Sequence, residues 1–371
     1  MKQKFTRRTA IITITCITGF LLASSSQVVP TAEATAVSQT GAIIADHAIV
    51  RQVMDDLVPE AAIVNAKNIL HIAYEHTSHG SQIPSGMTGL IGFKEGKGGT
   101  VGLYSWNDGP LAGALDMDDD AMASYASSAS DLGYADWALA TENYLNDPAH
   151  SDVNVVMWSW CGQVGSYDEQ GLINHYLDPM TQLENNFTGV SFVYMTGHVD
   201  GNGLDGSVHR SNEQIRQYVR ENGKILFDFA DIESYDPDGN YFGDKYVNDN
   251  CDYHNDTYSG NWAIEWQNSH PGEWYSCSAA HSQPLNGNMK AYAAWWLWAR
   301  LAGWEDPSNP VNTTSTSTSI GTSSSTSTGT TGTISATGTS SLASSSGFTF
   351  FTIAGIASMS IVQVKRRIKS N

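Results

Sequence analysis

The fold of this chain is decided by a short apolar run that ends among polar residues: positions 69–82 read ILHIAYEHTSHGSQ. The apolar part, Ile69 to Tyr74, is continuous rather than alternating, and this pattern is typical of a strand that is covered on both faces. Three later runs have the same character, namely Val153 to Trp160, Val190 to Met195 and Lys224 to Phe229. We therefore predict four buried strands.

Helical patterns separate these strands. Apolar residues recur at helical spacing in Asp136 to Leu145 and in Gly171 to Leu183. Positions 211–214 read SNEQ, a capping box that predicts a helix beginning at Ser211 and ending at Gly223. A last helix is predicted over Asn288 to Leu301, where apolar side chains form one stripe. The alternation predicts an α/β domain over residues 40–306, a three-layer α/β/α sandwich with a mostly parallel sheet.

Composition excludes some functions. With 371 residues and 41% hydrophobic content the chain can bury a sizeable core, so wholesale disorder is excluded. Eight of its 19 basic residues lie at the two ends: Lys2, Lys4, Arg7, Arg8, Lys365, Arg366, Arg367 and Lys369. The chain between them has 11 basic and 38 acidic residues, a net charge of −27. Such a charge repels phosphate backbones, and we expect no nucleic-acid partner.

The two ends predict an exported, tethered protein. Residues 1–26 have a basic start, an apolar run and small residues, which predicts a signal peptide; an uncleaved anchor is the alternative. Residues 311–346 are rich in Ser, Thr and Gly and predict a stalk. Residues 347–364 carry no charge and precede the basic tail 365–371, which predicts one transmembrane helix; a removed sorting tail is the alternative. We expect a single-pass type I membrane protein with its domain outside.

Export also bears on glycosylation and on the cysteines. Acceptor sequences for N-linked glycans begin at Asn186, Asn255 and Asn312. Cys16 lies in the signal peptide, and Cys251 and Cys277 flank one polar segment, so we expect these two to form a disulfide outside the cell. Cys161 is then unpaired, and is either buried and inert or part of a site.

Polar residues and glycines follow each predicted strand. In parallel sheets ligands bind beyond the carboxyl ends of the strands, so we expect these segments to meet in one crevice. They contain Ser78 after the first strand, Cys161 and Gly162 after the second, His198 and Asp200 after the third, and His281 before the last helix. Ser78 can present its hydroxyl at a helix amino end, and His281 can serve as its base if the two lie about 3 Å apart.

This arrangement resembles the SGNH (GDSL-like) hydrolase superfamily. The resemblance covers roughly residues 65–303 and concerns the order of the motifs along the chain. It implies a flavodoxin-like sheet and an esterase that often removes acetyl groups from sugars. By position, Ser78 would be the nucleophile, Gly162 and His198 would line the oxyanion hole, and His281 would be the base. No cofactor is implied.

The sequence departs from the family pattern at the acid that orients the histidine. Positions 278–281 read SAAH, where the family has Asp-x-x-His. Loss of this acid lowers turnover in a catalytic triad by about 10⁴. Either another carboxylate replaces it, with Asp200, Asp231 and Glu273 as candidates, or the fold serves another purpose. Cys161 is the rival nucleophile.

Metal sites are an alternative. His76, His79, His198 and His281 could gather with Asp200 around a transition metal, although no tight metal-binding spacing is present. Two oxygen-rich segments, 116–120 and 236–240, are predicted to be solvated turns, with calcium as the alternative.

The tryptophans point to a substrate class. Trp295 and Trp298 belong to the predicted core, whereas Trp262, Trp266 and Trp274 lie in a polar segment and could line a cleft for sugar rings. We thus expect a surface serine esterase that acts on ester groups, such as acetyl groups, of extracellular carbohydrate or on a small ester. The alternative is a non-catalytic module that binds glycans or a protein.

Overall fold

The computed structural model describes residues 41–308. The predicted signal peptide (1–26), stalk (311–346), transmembrane helix (347–364) and basic tail (365–371) lie outside the described residues. Within residues 41–308, none of the helices combines the length and the apolar character needed to cross a bilayer.

The central element is a parallel sheet of seven strands. In chain order the strands are β1 (Ile43–Ala45), β2 (His71–Glu75), β3 (Trp106–Asn107), β4 (Leu115–Asp119), β5 (Val155–Trp158), β6 (Ser191–Met195) and β7 (Ile225–Phe227). Across the sheet their order is β1-β7-β6-β5-β2-β4-β3, and every neighbouring pair is parallel. A separate antiparallel hairpin consists of β8 (Asp252–His254) and β9 (Ser259–Asn261).

Ten helices occur in the described part of the chain. They are α1 (His47–Met54), α2 (Glu60–Ile69), α3 (Gln82–Gly96), α4 (Trp137–Asn146), α5 (Glu169–Leu172), α6 (Asp178–Asn186), α7 (Ser207–Asn222), α8 (Phe229–Glu233), α9 (Trp262–Ser269) and α10 (Pro284–Leu301). Helices α1, α2 and α3 pack around α10 on one face of the sheet, and α4 to α7 cover the other. The three-layer α/β/α prediction is confirmed.

The four predicted strands correspond to β2, β5, β6 and β7, and their continuous apolar character reflects burial. All four residues of β5 are buried. The sequence did not predict β1, β3 or β4. In β4, Leu115 and Met117 are buried while the aspartates between and after them are less so. The interpretation of segment 116–120 as a solvated turn was therefore wrong, because alternate apolar residues make it a strand.

The helix predictions differ from the structure mainly at their starts. Helix α7 begins at Ser207, so Ser211 lies buried inside the helix and the capping-box prediction was wrong. Its end at Gly223 is confirmed by a left-handed φ of 60°. The predicted helix 171–183 is split between α5 and α6 by a π-helical turn at Ile173–Leu177. Helix α10 begins at Pro284, a residue type that favours the first turn of a helix.

Helix α10 is the core of its layer. Every side chain from Leu285 to Arg300 is buried, including Trp295 and Trp298 as predicted. Lys290 is fully buried too, and its Nζ lies 2.6 Å from Oε1 of Glu233, which is equally buried. A charged pair in such a place must be completed by further hydrogen bonds, because each ion alone would be costly to bury.

The strand order places a crevice at one position. Strand β4 lies on one side of β2, whereas β5, β6 and β7 follow on the other side, so the order reverses between β2 and β5. In open parallel sheets ligands bind at such a reversal, beyond the carboxyl ends of the strands. Ser78 follows β2, and Cys161 and Gly162 follow β5.

Candidate active site

Ser78 lies at the reversal of strand order, three residues after the end of β2. It begins a 3₁₀ turn, Ser78–Ser81, that leads directly into α3. Its φ is +37°, a value that non-glycine residues rarely adopt. The carbonyl oxygen of Ser78 accepts a hydrogen bond of 2.6 Å from the Ser81 hydroxyl, which stabilises this turn. The strained backbone presents the Ser78 side chain at the amino end of a helix, as the sequence predicts.

The Ser78 hydroxyl is hydrogen-bonded to His281. Oγ of Ser78 contacts Nε2 of the imidazole, although 203 residues separate the two in the chain. His281 also has a positive φ, +62°, and lies three residues before α10. Two strained residues from distant segments thus meet in the pair that proton transfer from a serine hydroxyl requires.

A buried polar network supports the loop that carries His281. Nε2 of Gln82, the first residue of α3, donates to the Ala280 carbonyl at 2.6 Å. The Gln82 side-chain oxygen accepts a hydrogen bond from Lys290, and Lys290 also donates to Glu233. Glu233 in turn accepts a hydrogen bond of 2.9 Å from the backbone N–H of Val199. Burial lowers the pKa of Lys290, while the carboxylate of Glu233 acts in the opposite direction.

His79 lies between two other imidazoles. Its ring stacks on that of His198, with centroids 3.8 Å apart and planes 8° apart, and on that of His281, with centroids 4.5 Å apart and planes 21° apart. His79 is buried. The stack fixes the plane of His281 and connects the segments that follow β2 and β6.

Asp249 orients His79. Its Oδ2 lies 2.9 Å from Nε2 of His79, so this nitrogen carries the proton and Nδ1 is the acceptor. Burial lowers the pKa of His79, and the Asp249 hydrogen bond only partly offsets this. Burial raises the pKa of Asp249, but the hydrogen bond from His79 and the nearby His198 bring it below its ordinary value. The pair is therefore a neutral imidazole beside a carboxylate at neutral pH.

Cys161 contacts the same imidazole. Its Sγ lies 3.6 Å from Nδ1 of His79, so Cys161, His79 and Asp249 form a continuous chain of hydrogen bonds. The cysteine is half-buried and has no disulfide partner in the described residues. This is the order of groups found when a thiol, a base and an orienting acid act together.

Gly162 and His198 lie against each other. Gly162 has a φ of +85°, and a Cβ added there would approach Nε2 of His198 to 3.0 Å. The other ring nitrogen of His198, Nδ1, donates to the Val199 carbonyl at 2.8 Å. In the neutral tautomer that this hydrogen bond selects, Nε2 of His198 is an acceptor and not a donor. The available donors are the backbone N–H groups of Ser78 and Gly162, which bond to no protein acceptor within residues 41–308.

None of the three carboxylates proposed as the missing acid contacts His281 in the described structure. Asp200 accepts hydrogen bonds from the N–H and the side-chain amide of Asn202, at 3.1 and 2.7 Å. Asp231 bonds to the ring and the backbone N–H of His47. Within residues 41–308 the other ring nitrogen of His281 has no carboxylate partner. The sequence did not predict Asp249, and this carboxylate reaches His281 only through the His79 ring.

The predicted metal ligands do not gather as expected. His76 bonds to Asp119 at 2.8 Å, and His281 bonds to Ser78. The ligand atoms of His79, His198 and Asp249 do lie within 4.8 Å of one another. However, the lone pairs of an imidazole lie in its plane, and these two rings are stacked and nearly parallel. One ion cannot lie in both planes, so the arrangement suits stacking better than shared coordination.

The predicted disulfide and the predicted tryptophan cleft are not present in the described structure. Cys251 and Cys277 are both free, and their sulfur atoms contact Ser282 and the Pro284 carbonyl respectively. Trp262 and Trp266 are buried in the core, so they do not line a cleft.

The acidic segment 236–240 is a closed turn. The carboxylate of Asp236 accepts hydrogen bonds from the backbone N–H groups of Asp238 and Asn240 and from the Asn240 side chain.

Comparison with protein-family models, with curated proteins and with solved structures gave no match for this chain.

Proposed function

We propose that this protein is a serine hydrolase that cleaves esters, with Ser78 as nucleophile and His281 as base. The observation that carries the proposal is the hydrogen bond between Ser78 Oγ and His281 Nε2 at the reversal of strand order. The likeness to SGNH hydrolases is part of the same proposal.

The chemistry follows from the groups present. Nε2 of His281 removes the Ser78 proton as Oγ attacks the ester carbonyl. The backbone N–H groups of Ser78 and Gly162 stabilise the negative oxygen of the tetrahedral intermediate. The imidazolium returns its proton to the departing alcohol, which leaves an acyl group on Ser78. A water molecule, deprotonated by His281, then releases the carboxylic acid and restores the serine.

The His79 and Asp249 pair takes part of the role of the missing acid. It holds the His281 ring by stacking, and the Asp249 carboxylate supplies negative charge behind it. This support is weaker than a direct hydrogen bond to the imidazole, so turnover is expected to be modest. Esters suit such a site better than amides, because an alkoxide leaves more readily than an amide nitrogen.

The proposed substrate class rests on the sequence segments before and after the α/β domain. The predicted signal peptide, the predicted stalk and the N-glycosylation sequences favour the outside of the cell, where acylated polysaccharides are available. We propose acyl groups on carbohydrate as the substrate and the cell membrane as the location, with residues 347–364 as the anchor. Fractionation of cells that express the full chain tests the location: the protein should remain with membranes after carbonate washing.

Hydrolysis of p-nitrophenyl acetate by the purified full chain tests the activity. Ser78→Ala should lower kcat by at least about 10³-fold, and Cys161→Ala should retain most of it. The two variants remove similar side chains from the same crevice, so each is the control for the other. Equal activity of Ser78→Ala and the unmodified protein would refute the proposal.

A thiol hydrolase is the second candidate, because the chain from Cys161 through His79 to Asp249 includes the orienting acid that the Ser78 pair lacks. A thiol hydrolase predicts the opposite result for the two variants: Cys161→Ala should not hydrolyse p-nitrophenyl acetate, whereas Ser78→Ala should. Alkylation with iodoacetamide should then abolish turnover. Protein that hydrolyses no ester but retains polysaccharide on a column would favour the non-catalytic module.

A further inference from the structure

A second candidate site lies beside the β8–β9 hairpin. An open cleft of about 590 Å³ is lined by Asp200, Tyr246, Asn248, Asp252, Tyr253 and His254, together with two glycines and a serine. Sites for small ligands commonly have volumes of this order. We propose that this cleft binds uncharged sugar rings of the acylated polysaccharide, an inference that rests on the proposed function and specifies its substrate.

Tyr246 provides the flat apolar surface that a sugar ring needs. It is 48% exposed, so a large part of its side chain is open to solvent. Its ring lies against Gly203, where a Cβ would come within 2.9 Å, and it stacks with His254 at a centroid distance of 5.1 Å. The φ of Tyr246 is +51°, so its backbone is held in a strained conformation. Strained residues are common at ligand-binding sites.

Carboxylate acceptors held by hydrogen bonds line the same cleft as this ring. The Asp252 carboxylate accepts from the side-chain amides of Asn250 and Asn261, each at 2.8 Å. The Asp200 carboxylate is held in the same way by Asn202. Each carboxylate oxygen has a second lone pair, which can accept a hydrogen bond from a sugar hydroxyl. Aromatic surface and fixed acceptors together match a polyhydroxylated ring.

The charge of the cleft selects among sugars. No lysine or arginine occurs among the described residues that line it, while two carboxylates do. Uronic or sulfated sugars would place like charges together in a partly desolvated site, which is unfavourable. The cleft therefore favours neutral glycans.

Two chain segments link the lining of the cleft to the candidate active site. Asp200 follows His198 by two residues, so their Cα atoms are at most about 7 Å apart. Asn248 directly precedes Asp249, which bonds to His79. The segments that contribute Asp200 and Asn248 to the cleft therefore also contribute His198 and Asp249 to the candidate active site.

Titration calorimetry on the full chain carrying Ser78→Ala tests binding without turnover. Uncharged oligosaccharides (xylohexaose, mannohexaose and chitohexaose) are compared with hexagalacturonate. We expect at least one uncharged ligand to bind and the anionic one to bind at least about tenfold more weakly. Adding Tyr246→Ala should weaken the uncharged ligand at least about tenfold, whereas Tyr246→Phe should retain it. Tyr134→Ala removes a similarly exposed ring outside the cleft and is the matched control.

The inference is overturned if none of the uncharged ligands binds, if hexagalacturonate binds better, or if Tyr246→Ala and Tyr134→Ala bind equally. Thermal unfolding of each variant shows whether a loss of binding reflects a loss of fold. Hydrolysis of p-nitrophenyl acetate, which contains no sugar, reports on Ser78 separately. A protein that binds sugars but lacks esterase activity would refute the proposed function and leave the cleft assignment standing.

Discussion

At the scale of single residues, backbone strain coincides with the proposed chemistry. Six non-glycine residues of the described chain have positive φ, and Ser78 and His281 are two of them. Residues in such conformations cost of order 1–3 kcal/mol each and persist where the surrounding structure holds them. The side chains of these two residues, each with a strained backbone, form a hydrogen bond with each other. This coincidence supports the interpretation of the pair as a functional site.

Gly162 allows a prediction with an internal control. Gly162→Ala adds a Cβ to a left-handed backbone and places it 3.0 Å from His198, whereas Gly239→Ala meets the same left-handed strain, at φ +83°, with nothing within 4 Å. Both should lower the free energy of unfolding by about 1 kcal/mol. Only Gly162→Ala should lower kcat for p-nitrophenyl acetate, by at least about tenfold, because the added Cβ presses on His198 and shifts the backbone N–H that is a proposed oxyanion donor. Similar kcat values for the two variants would remove Gly162 from the site.

Asp249 allows a prediction of pH dependence. Burial lowers the pKa of His79, so this ring is neutral at neutral pH and becomes positive at a lower pH than an ordinary histidine. A positive His79 would repel the His281 imidazolium, so we expect activity to fall on acidification. Asp249→Asn removes the charge that favours protonation of His79. It should lower kcat about tenfold at pH 7 and move the acid limb to lower pH.

The exposed Asp244→Asn is the control for this change, and kcat measured from pH 5 to pH 9 is the readout. If the profiles of Asp249→Asn and Asp244→Asn coincide, Asp249 has no part in the reaction.

Among the structural elements, strand β2 ends in Glu75, a carboxyl group whose protonation affects stability. Glu75 is buried, and its carboxylate accepts hydrogen bonds from the N–H groups of Met122 and of Ala123, the latter at 2.8 Å. Burial raises the pKa of Glu75 to about 7, against the effect of these hydrogen bonds. The folded state thus holds this proton more tightly than the unfolded state, and the associated stability is full below the ordinary pKa and is lost as the pH rises through about 7.

Glu75→Gln removes this titration and keeps an acceptor oxygen. Between pH 5 and pH 8 the unfolding free energy of the unmodified protein should fall relative to the variant by roughly 2–3 kcal/mol. Urea unfolding at several pH values measures this, with the exposed Glu142→Gln as control. Parallel curves for the unmodified protein and Glu75→Gln would contradict the assignment.

The sequence predicts those elements whose pattern is local. Strands β2, β5, β6 and β7 are continuous apolar runs, and a run of this kind requires no knowledge of its neighbours. Strand β4 was missed because three of its five residues are aspartates, and only its register beside β2 shows that Leu115 and Met117 face the core. The start of α7 was misplaced because a capping-box sequence also occurs inside a helix.

The candidate site was also predictable only in part. Ser78 and His281 could be paired from the sequence because strand ends meet at one edge of a parallel sheet. The role of Asp249 could not be predicted, because it depends on a loop outside the sheet that brings this carboxylate to His79. The polar run NDNCD at 248–252 was the only signal of its importance.

At the scale of the whole molecule, the strand order explains why one crevice collects these groups. Residues from four distant segments, around positions 78, 162, 198 and 281, converge where the order reverses between β2 and β5. Helix α10 carries Lys290 of the buried network, while the loop before it carries His281. Fold and proposed function therefore depend on the same long-range contacts.

Covalent labelling tests whether His281 activates Ser78. A fluorophosphonate reacts with a serine only when a neighbouring base activates it. After incubation of the full chain, we predict that the added mass is found on the tryptic peptide that contains Ser78 and that His281→Ala labels at least about 100-fold more slowly. Unlabelled protein, a label on another residue, or equal labelling of His281→Ala would contradict the account.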